Sequence, residues 1–598
     1  MSMEKNEKKE SGAQKKKSGT TEKSRDKADI SESVNDGRPA ESKAVKSQLP
    51  DAEDGMQAKL SVSGKKDKNK YEFINYSTDP GVIKLLRKKK KGLLRIVFSR
   101  FGITALLVLV QALLVIAMLV FFNEEMQWAA VLEFLFTLVI VFHLFRTDMD
   151  ASAKLTWMFL IALMPLPAAV LLLFAENDMG HKRIGRKQKK LIKASKNKLV
   201  QDVSVLKEKE PVEESADMLC NYLNLSNKFP MYNGTEVTYF PLGEDKFEAM
   251  IEELEKAKEF IFLEYFIIDE GYMWGRILKI LADKAAEGVE VRVMYDGMCE
   301  ISTLTSDYPE RLEQLGIKCK AFSRLTPFIS TQYNYRDHRK ILVIDGKVAF
   351  TGGVNLADEY INKIVRFGHW KDTAIMLKGK AVESFTLMFL QMWYISEIGV
   401  KPVWDKYLGK AEPAANDGYI IPYCDNPLDG YKVGETVYMD IIDRAKSYVH
   451  IMTPYLILDN ELERSLTYAA QRGVDVKLIL PGIPDKKAPY ALAKSHYKHL
   501  IEAGIKIYEY DPGFVHAKVF VCDDKKAVVG TINLDYRSLY HHFECATYML
   551  GSKCISDIEA DFQSTLEKCS TVTEETIKNE KLYYKVMGTI MKVVAPLM

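Results

Sequence analysis

Apolar positions fall into two regimes along this chain. Between residues 101 and 175 they run in long blocks. The first, 101–122, has Gln111 as its one polar residue of consequence. The second, 126–145, contains Glu133 and His143, and the third, 155–175, is broken by Pro165 and Pro167. Blocks of about 20 apolar residues have the length of a membrane-crossing helix. Three in succession, flanked by charge, predict N-terminal transmembrane helices within a membrane region at 83–180. From about residue 216 the runs shorten, as in Ile341-Leu-Val-Ile344 and Val519-Phe-Val-Cys522, and each is followed by a polar turn. Such runs read as buried strands entering hairpins. Their alternation with helical stretches predicts an α/β fold with mixed sheets flanked by helices.

The globular part repeats itself. His338-Arg-Lys340-Ile-Leu-Val-Ile-Asp345 recurs as His516-Ala-Lys518-Val-Phe-Val-Cys-Asp523, and both read H-x-K-x-x-x-x-D. His338 to Asn355 is 17 residues, and His516 to Asn533 is 17 again. Gly352 matches Gly530, and Leu356 matches Leu534. Upstream, Glu259-Phe-Ile-Phe-Leu-Glu parallels Tyr448-Val-His-Ile-Met-Thr, and Leu315-Gly316-Ile-Lys parallels Ala503-Gly504-Ile-Lys. A duplication follows, with repeats at 216–405 and 406–598 forming one bilobal catalytic domain. Side chains on a strand alternate faces, so each His shares a face with the Lys two positions on. Asp345 and Asp523, seven positions on, point elsewhere or lie in the turn, and read as anchors of that turn.

Charge changes the picture by its distribution. The net charge of +2 says nothing about partners. Residues 1–82, rich in Lys, Glu, Ser and Asp, cannot bury enough surface to fold and read as a disordered charged tail. Basic residues crowd at 87–95 and again at 181–190, and both clusters favour the cytoplasmic side. Three full crossings would separate them, so the Pro165–Pro167 break makes the third block a candidate re-entrant or interfacial hairpin. Everything after residue 180 is then expected on the cytoplasmic side of the membrane. A linker spans 181–215, and its basic part suits anionic headgroups. The last 16 residues, from Tyr583, are apolar with two lysines and suit either a core-docking or an interfacial helix. Eight scattered cysteines without a C-x-x-C pair suggest reduced thiols, with Cys522 a small core hydrophobe.

Two His, two Lys and two Asn brought together suit a phosphate diester. One neutral imidazole can attack phosphorus while the other protonates the leaving alkoxide. Lys340, Lys518, Asn355 and Asn533 would stabilise charge on the remaining oxygens. The set calls for no metal and no cofactor. A histidine nucleophile needs its second ring nitrogen fixed by an acceptor. Glu544 is the candidate for the second half and Asp372 for the first. His369, His541 and His542 read as rim or structural histidines.

The paired motifs, with Gly352-Gly353-Val-Asn355 and Gly530-Thr531-Ile-Asn533, resemble the phospholipase D superfamily. Pro454-Tyr-Leu-Ile-Leu-Asp459, Leu480-Pro-Gly-Ile-Pro-Asp485, Tyr508-Glu-Tyr-Asp-Pro-Gly-Phe-Val-His516 and Phe367-Gly-His-Trp-Lys-Asp372 are similar to bacterial cardiolipin synthases. The resemblance spans about 125–598. It implies transfer of a phosphatidyl group between two phosphatidylglycerol molecules through a phosphohistidine, releasing glycerol. It also implies a catalytic set of His338, Lys340, Asp345, His516, Lys518 and Asp523. His338 is taken as nucleophile and His516 as general acid/base, an order that the motifs leave reversible. A hydrolase, or a transferase using another alcohol, is the alternative within the superfamily. The implied partners are phosphatidylglycerol and other anionic phospholipids, not nucleic acid. Asp337, His541-His542 and Thr531 depart from the family pattern, which often has Asn, Leu-Asn and Ser there.

Overall fold

Runs rich in Val, Ile and Phe become the strands of two mixed sheets. The first sheet has the spatial order Thr235–Phe240, Ala374–Gly379, Val348–Gly352, Lys340–Ile344, Phe260–Tyr265, Glu290–Asp296, Lys318–Phe322. The second runs Tyr419–Asp425, His542–Leu550, Lys526–Gly530, Val519–Cys522, Tyr448–Met452, Asp475–Pro481, Lys506–Tyr510, with Cys569–Thr571 added at the far edge. Strand for strand the two orders correspond. In each, the fifth, sixth and seventh strands are parallel and the other pairs antiparallel. The chain is thus a mixed α/β protein with two sheets and flanking helices. The computed structural model describes residues 75–86, 127–176, 179–207, 214–227, 229–324, 335–397, 399–415 and 417–597. The first apolar block, the basic cluster at 87–95 and almost all of the charged tail lie outside these residues.

Period-two alternation sorts the strand residues into separate cores. Ile341 and Val343 join Val519 and Val521 in one apolar cluster between the sheets. Leu342 and Ile344 face a second cluster, and Phe520 and Cys522 a third. The central cluster also takes in helix Val382–Ile395, which is apolar nearly all round and buried accordingly. Each large side chain so enclosed contributes about 1.5–3 kcal/mol. The matched glycines have a steric cause. A Cβ on Gly352 would lie 2.5 Å from the Ala374 Cα, and one on Gly530 would lie 2.3 Å from the Ala546 Cβ. In both repeats the neighbouring strand passes too close for a side chain.

The second apolar block forms helix Gln127–Arg146, and the third forms two helices, Ala151–Leu163 and Pro165–Glu176. The break falls at Met164, because the residue before a proline is driven out of helical geometry. Asp150 starts the first of the pair, accepting the Ser152 and Ala153 N–H groups. The three helices pack through Ile140, Leu144, Trp157, Ile161, Ala168, Ala169 and Leu172. Among the described residues no helix is long and apolar enough to cross a membrane. The expected transmembrane spans are not shown by the helices of the blocks at 126–145 and 155–175. The outer faces nonetheless leave Trp128, Leu132, Phe142, Phe145, Leu155 and Phe159 exposed.

The C-terminal helix, Leu582–Val594, is docked on one side and apolar on the other. One side docks on helix Lys487–Glu502, where Gly588 fits so closely that a Cβ would stand 2.5 Å from the Ala491 carbonyl oxygen. Thr156 Oγ1 donates to the Val593 carbonyl at 2.7 Å, tying this helix to Ala151–Leu163. The opposite side leaves Leu582, Tyr583, Val586 and Ile590 exposed.

Candidate active site

Two short parallel pairings cross between the repeats and assemble the site. Arg336–Asp337, just before His338, pairs with His542 and Phe543 of the second repeat. Gly513–Val515, just before His516, pairs with His369–Lys371 of the first. His338 N–H donates to the Phe543 carbonyl at 2.9 Å, and His516 N–H to the Lys371 carbonyl at 2.7 Å. Each motif histidine is therefore set by the backbone of the opposite repeat.

The side chains follow. His338 Nδ1 lies 2.8 and 3.0 Å from the two Glu544 oxygens. His516 Nδ1 lies 2.7 Å from Asp372 Oδ2. Glu544 and Asp372 are both fully buried, not solvated. This corrects the assignment made from sequence, which gave Glu544 to the second half and Asp372 to the first. Each carboxylate reaches the opposite histidine because the segment just before it pairs with the residues just before that histidine. The Thr531 hydroxyl donates to Glu544 and accepts the Cys545 N–H at 3.0 Å, holding the carboxylate in place.

Burial and mutual charge set the protonation states. Burial, then Lys340, Lys518 and the other histidine, push His338 well below the usual 6.5 of an imidazole. His516 is lowered to about 4 by burial and Lys518, with Asp372 acting against them. Burial also brings Lys340 down to about 8 and Lys518 to about 7. Asp372 is held below the usual carboxylate range because His516 and Lys518 outweigh the cost of its burial. Both imidazoles are neutral at pH 7. With Nδ1–H directed at a carboxylate, each leaves Nε2 as a bare lone pair. The lysines are fixed locally: Lys340 Nζ donates to the His338 carbonyl at 2.6 Å, and Lys518 Nζ donates to the His516 carbonyl. Lys518 Nζ also stands 2.9 Å from His516 Nδ1.

Asn355 accepts the Ile267 N–H at 3.0 Å and donates to the Tyr360 hydroxyl at 2.8 Å. Asn533 donates to Asp535 at 3.0 Å, and its Oδ1 is buried without a hydrogen-bond partner. An amide nitrogen carries two hydrogens, so each keeps one N–H for a ligand. Asp345 and Asp523 lie at the far ends of their strands, about 16 Å from the lysines at the usual rise per residue. Asp345 accepts the N–H groups of Lys258, Glu259 and Phe260 at 2.7–2.8 Å. Asp523 accepts those of Lys446, Ser447 and Tyr448 at 2.8–2.9 Å. Each adopts a left-handed backbone, with φ of 53°. Asp337, adjacent to His338, turns away to Arg339 and Glu264, and burial raises both of these carboxyls.

Reading the motifs alone leaves out several neighbours. The Phe266 ring meets His338 edge-on at 4.8 Å, and Tyr360 meets His516 edge-on at 5.4 Å with Trp370 at 5.5 Å. His542 lies 5.3 Å from His338, ring to ring. The signals for these in the sequence were Trp370 within Phe367–Asp372 and the departure at His542. Two groups of described residues could hold a metal ion: His338 with His542 and Glu544, and Glu435 with Asp459 and Glu461. In the first, His338 and Glu544 already satisfy each other. In the second, the Tyr540 hydroxyl donates to Asp459 at 2.6 Å and stands 3.1 Å from Glu435.

Comparison with known proteins places this arrangement. A family model described as "Cardiolipin synthase, PLD-like domain" matches residues 250–393 and 438–566, one match on each sheet. A Streptococcus mutans protein described as uncharacterized is 56% identical over 460 residues, covering 77% of this chain and 99% of its own. A cardiolipin synthase of Alkalihalophilus pseudofirmus is 30% identical over 475 residues, covering 78% and 94%. Another, of Halalkalibacterium halodurans, is 31% identical over 474 residues, covering 78% and 93%.

Proposed function

The chain belongs to the cardiolipin synthase family of the phospholipase D superfamily, and on that premise we propose that it is a phosphatidyltransferase making cardiolipin. In the first step His338 Nε2 attacks the phosphorus of one phosphatidylglycerol. An N–P bond forms, the P–O bond to the headgroup breaks, and His516 gives its proton to the departing glycerol. In the second step the terminal hydroxyl of another phosphatidylglycerol yields its proton to His516 as its oxygen attacks phosphorus. The N–P bond breaks, cardiolipin leaves and His338 is restored. His516 is neutral in the free protein; as the diester anion binds, its charge raises the proton affinity of the ring, which takes a proton from water onto Nε2 before the first step and is protonated again when the second step ends. Lys340 and Lys518, with one N–H each from Asn355 and Asn533, balance charge on the oxygens that do not react.

One observation carries this reading: two buried imidazoles, each held through Nδ1 by the other repeat's carboxylate, with two buried lysines between them. Asp345 and Asp523 belong to the machinery only as anchors of the motif strands. The repeats are assigned to 216–405 and 406–598. We place the enzyme at the bacterial cytoplasmic membrane with the sheets on the cytoplasmic side. Support comes from the exposed apolar sides of the helices at 127–176 and of Leu582–Val594, and from Lys581, Lys585 and Lys592 beside the latter. The test is to incubate the purified full chain with phosphatidylglycerol vesicles and identify the products. Cardiolipin and glycerol in equal amounts are expected. Phosphatidic acid in place of cardiolipin, with glycerol released all the same, would reject the synthase reading in favour of hydrolysis.

A further inference from the structure

The charged tail read from composition ends in ordered chain. Residues 75–86 form neither helix nor strand, yet Val82, Ile83 and Leu85 are buried, and Ile83 and Leu85 belong to the core of the first repeat. So short an irregular segment cannot offset its own ordering entropy, so its shape comes from what it docks on. Gly275, inside the helix Tyr272–Ala286, makes the room. A Cβ there would stand 2.4 Å from Val82 Cγ1 and 2.9 Å from the Ile83 carbonyl oxygen. Ile83 N–H donates to the Gly275 carbonyl at 3.0 Å, and Arg311 donates to the Leu85 carbonyl at 3.1 Å.

The segment closes on one carboxylate. Leu85 N–H and Leu86 N–H donate to the two oxygens of Glu270 at 2.9 and 2.8 Å, and the Tyr308 hydroxyl adds a third bond at 2.9 Å. One bond to each oxygen fixes the plane of a carboxylate as well as its place. Glu270 ends the stretch 266–270, whose other end is at the active centre. Phe266 packs on the His338 ring, and Ile267 N–H is held by Asn355. We propose that residues 75–86 are a clasp, a segment of the chain's own N-terminal side that docks in a groove of the first repeat and steadies these two contacts through Glu270. The inference rests on the catalytic site assigned above and not on which alcohol that site uses.

The clasp lies ahead of the part of the chain that carries the family resemblance, so it is a support this chain adds and not a piece of the shared chemistry. It also precedes the three apolar blocks, and the sheets follow them. Docking therefore keeps the clasp and the catalytic centre on one side of any membrane that those blocks enter. The clasp touches no substrate. Its loss would loosen the aim of the attacking ring and leave the binding of lipid as it was, so it acts on turnover and not on KM.

The experiment uses the full-length protein on phosphatidylglycerol vesicles. Val82→Asp puts a charge under the segment and should lift it off. Gly275→Leu should expel it from the other side, and it places a good helix former in the helix. Trypsin reads the release: the bond after Lys84 should be cut in both variants and protected in wild type. Both variants are expected to turn over about fivefold more slowly, with KM unchanged. A free peptide with the sequence of residues 75–86 should bring Val82→Asp back to within about twofold of wild type and leave Gly275→Leu as it was. An unchanged or faster rate with Lys84 cut would overturn the proposal. A loss that the peptide does not restore in Val82→Asp would reduce the segment to packing and also overturn it. Resistance of Lys84 to trypsin in both variants would show that the segment does not detach, and would overturn it too. The rate counts phosphatidylglycerol consumed whatever the product, so a wild-type protein that only hydrolyses would defeat the synthase reading and still test the clasp.

Discussion

His338 and His516 occupy frames that correspond strand for strand and surroundings that do not. Around His338 a glutamate offers both oxygens to one ring nitrogen, and the Thr531 hydroxyl braces that glutamate. The ring is gripped. Around His516 a single aspartate oxygen and the Lys518 ammonium both approach the same Nδ1, at 2.7 and 2.9 Å. That nitrogen faces an acceptor and a cation at once, so the ring's proton affinity responds strongly to whatever charge arrives beside it. A nucleophile gains from being held still, and a proton carrier gains from being easily retuned. The difference between the two surroundings supports His338 as nucleophile and His516 as acid/base.

The largest effects test that division directly. His338→Ala and His516→Ala should each lower turnover by about 10^4-fold or more. They should separate on a phosphatidyl ester with an acidic leaving group, which needs no protonation to depart. His516→Ala should accumulate an acid-labile phosphatidyl adduct on the protein and His338→Ala should show none, read by mass spectrometry of the intact chain. The opposite pattern would exchange the two roles.

Next in size are the crossed carboxylates. Glu544→Gln and Asp372→Asn should each cost about 10²-fold in turnover. With the same activated ester, Glu544→Gln should slow adduct formation and Asp372→Asn its discharge to an alcohol. If Glu544→Gln affected only discharge, the cross-repeat assignment would fail.

The smallest effects concern the anchors. Asp345→Ala should destabilise the fold by about 3 kcal/mol, since three backbone N–H groups lose a charged acceptor. Asp523→Ala should cost less, because its Lys446 and Ser447 partners are open to water. In both, activity per folded molecule should stay within about twofold, measured by thermal melting alongside initial rates. A loss of rate without a loss of stability would make these aspartates chemical participants.

Much of this architecture is legible in the residue pattern. The runs Ile341–Ile344 and Val519–Cys522, with polar turns after them, announce strands because burial on both faces leaves no room for polar side chains. The offsets of Gly352 and Gly530 are readable as repetition, and their cause, a strand crossing where a Cβ would stand, is visible only in three dimensions. The exchange of Glu544 and Asp372 was not legible. It depends on parallel pairings only two or three residues long, between segments too short to carry a periodicity.

The crossed pairing also bears on how the protein is made. His338 and Glu544 are 206 residues apart in the chain, and His516 and Asp372 are 144 apart. Domains fold from the N-terminal side during synthesis, so a growing chain that has not yet reached residue 544 holds its presumptive nucleophile with nothing to orient it. The site is therefore incomplete until translation is almost finished.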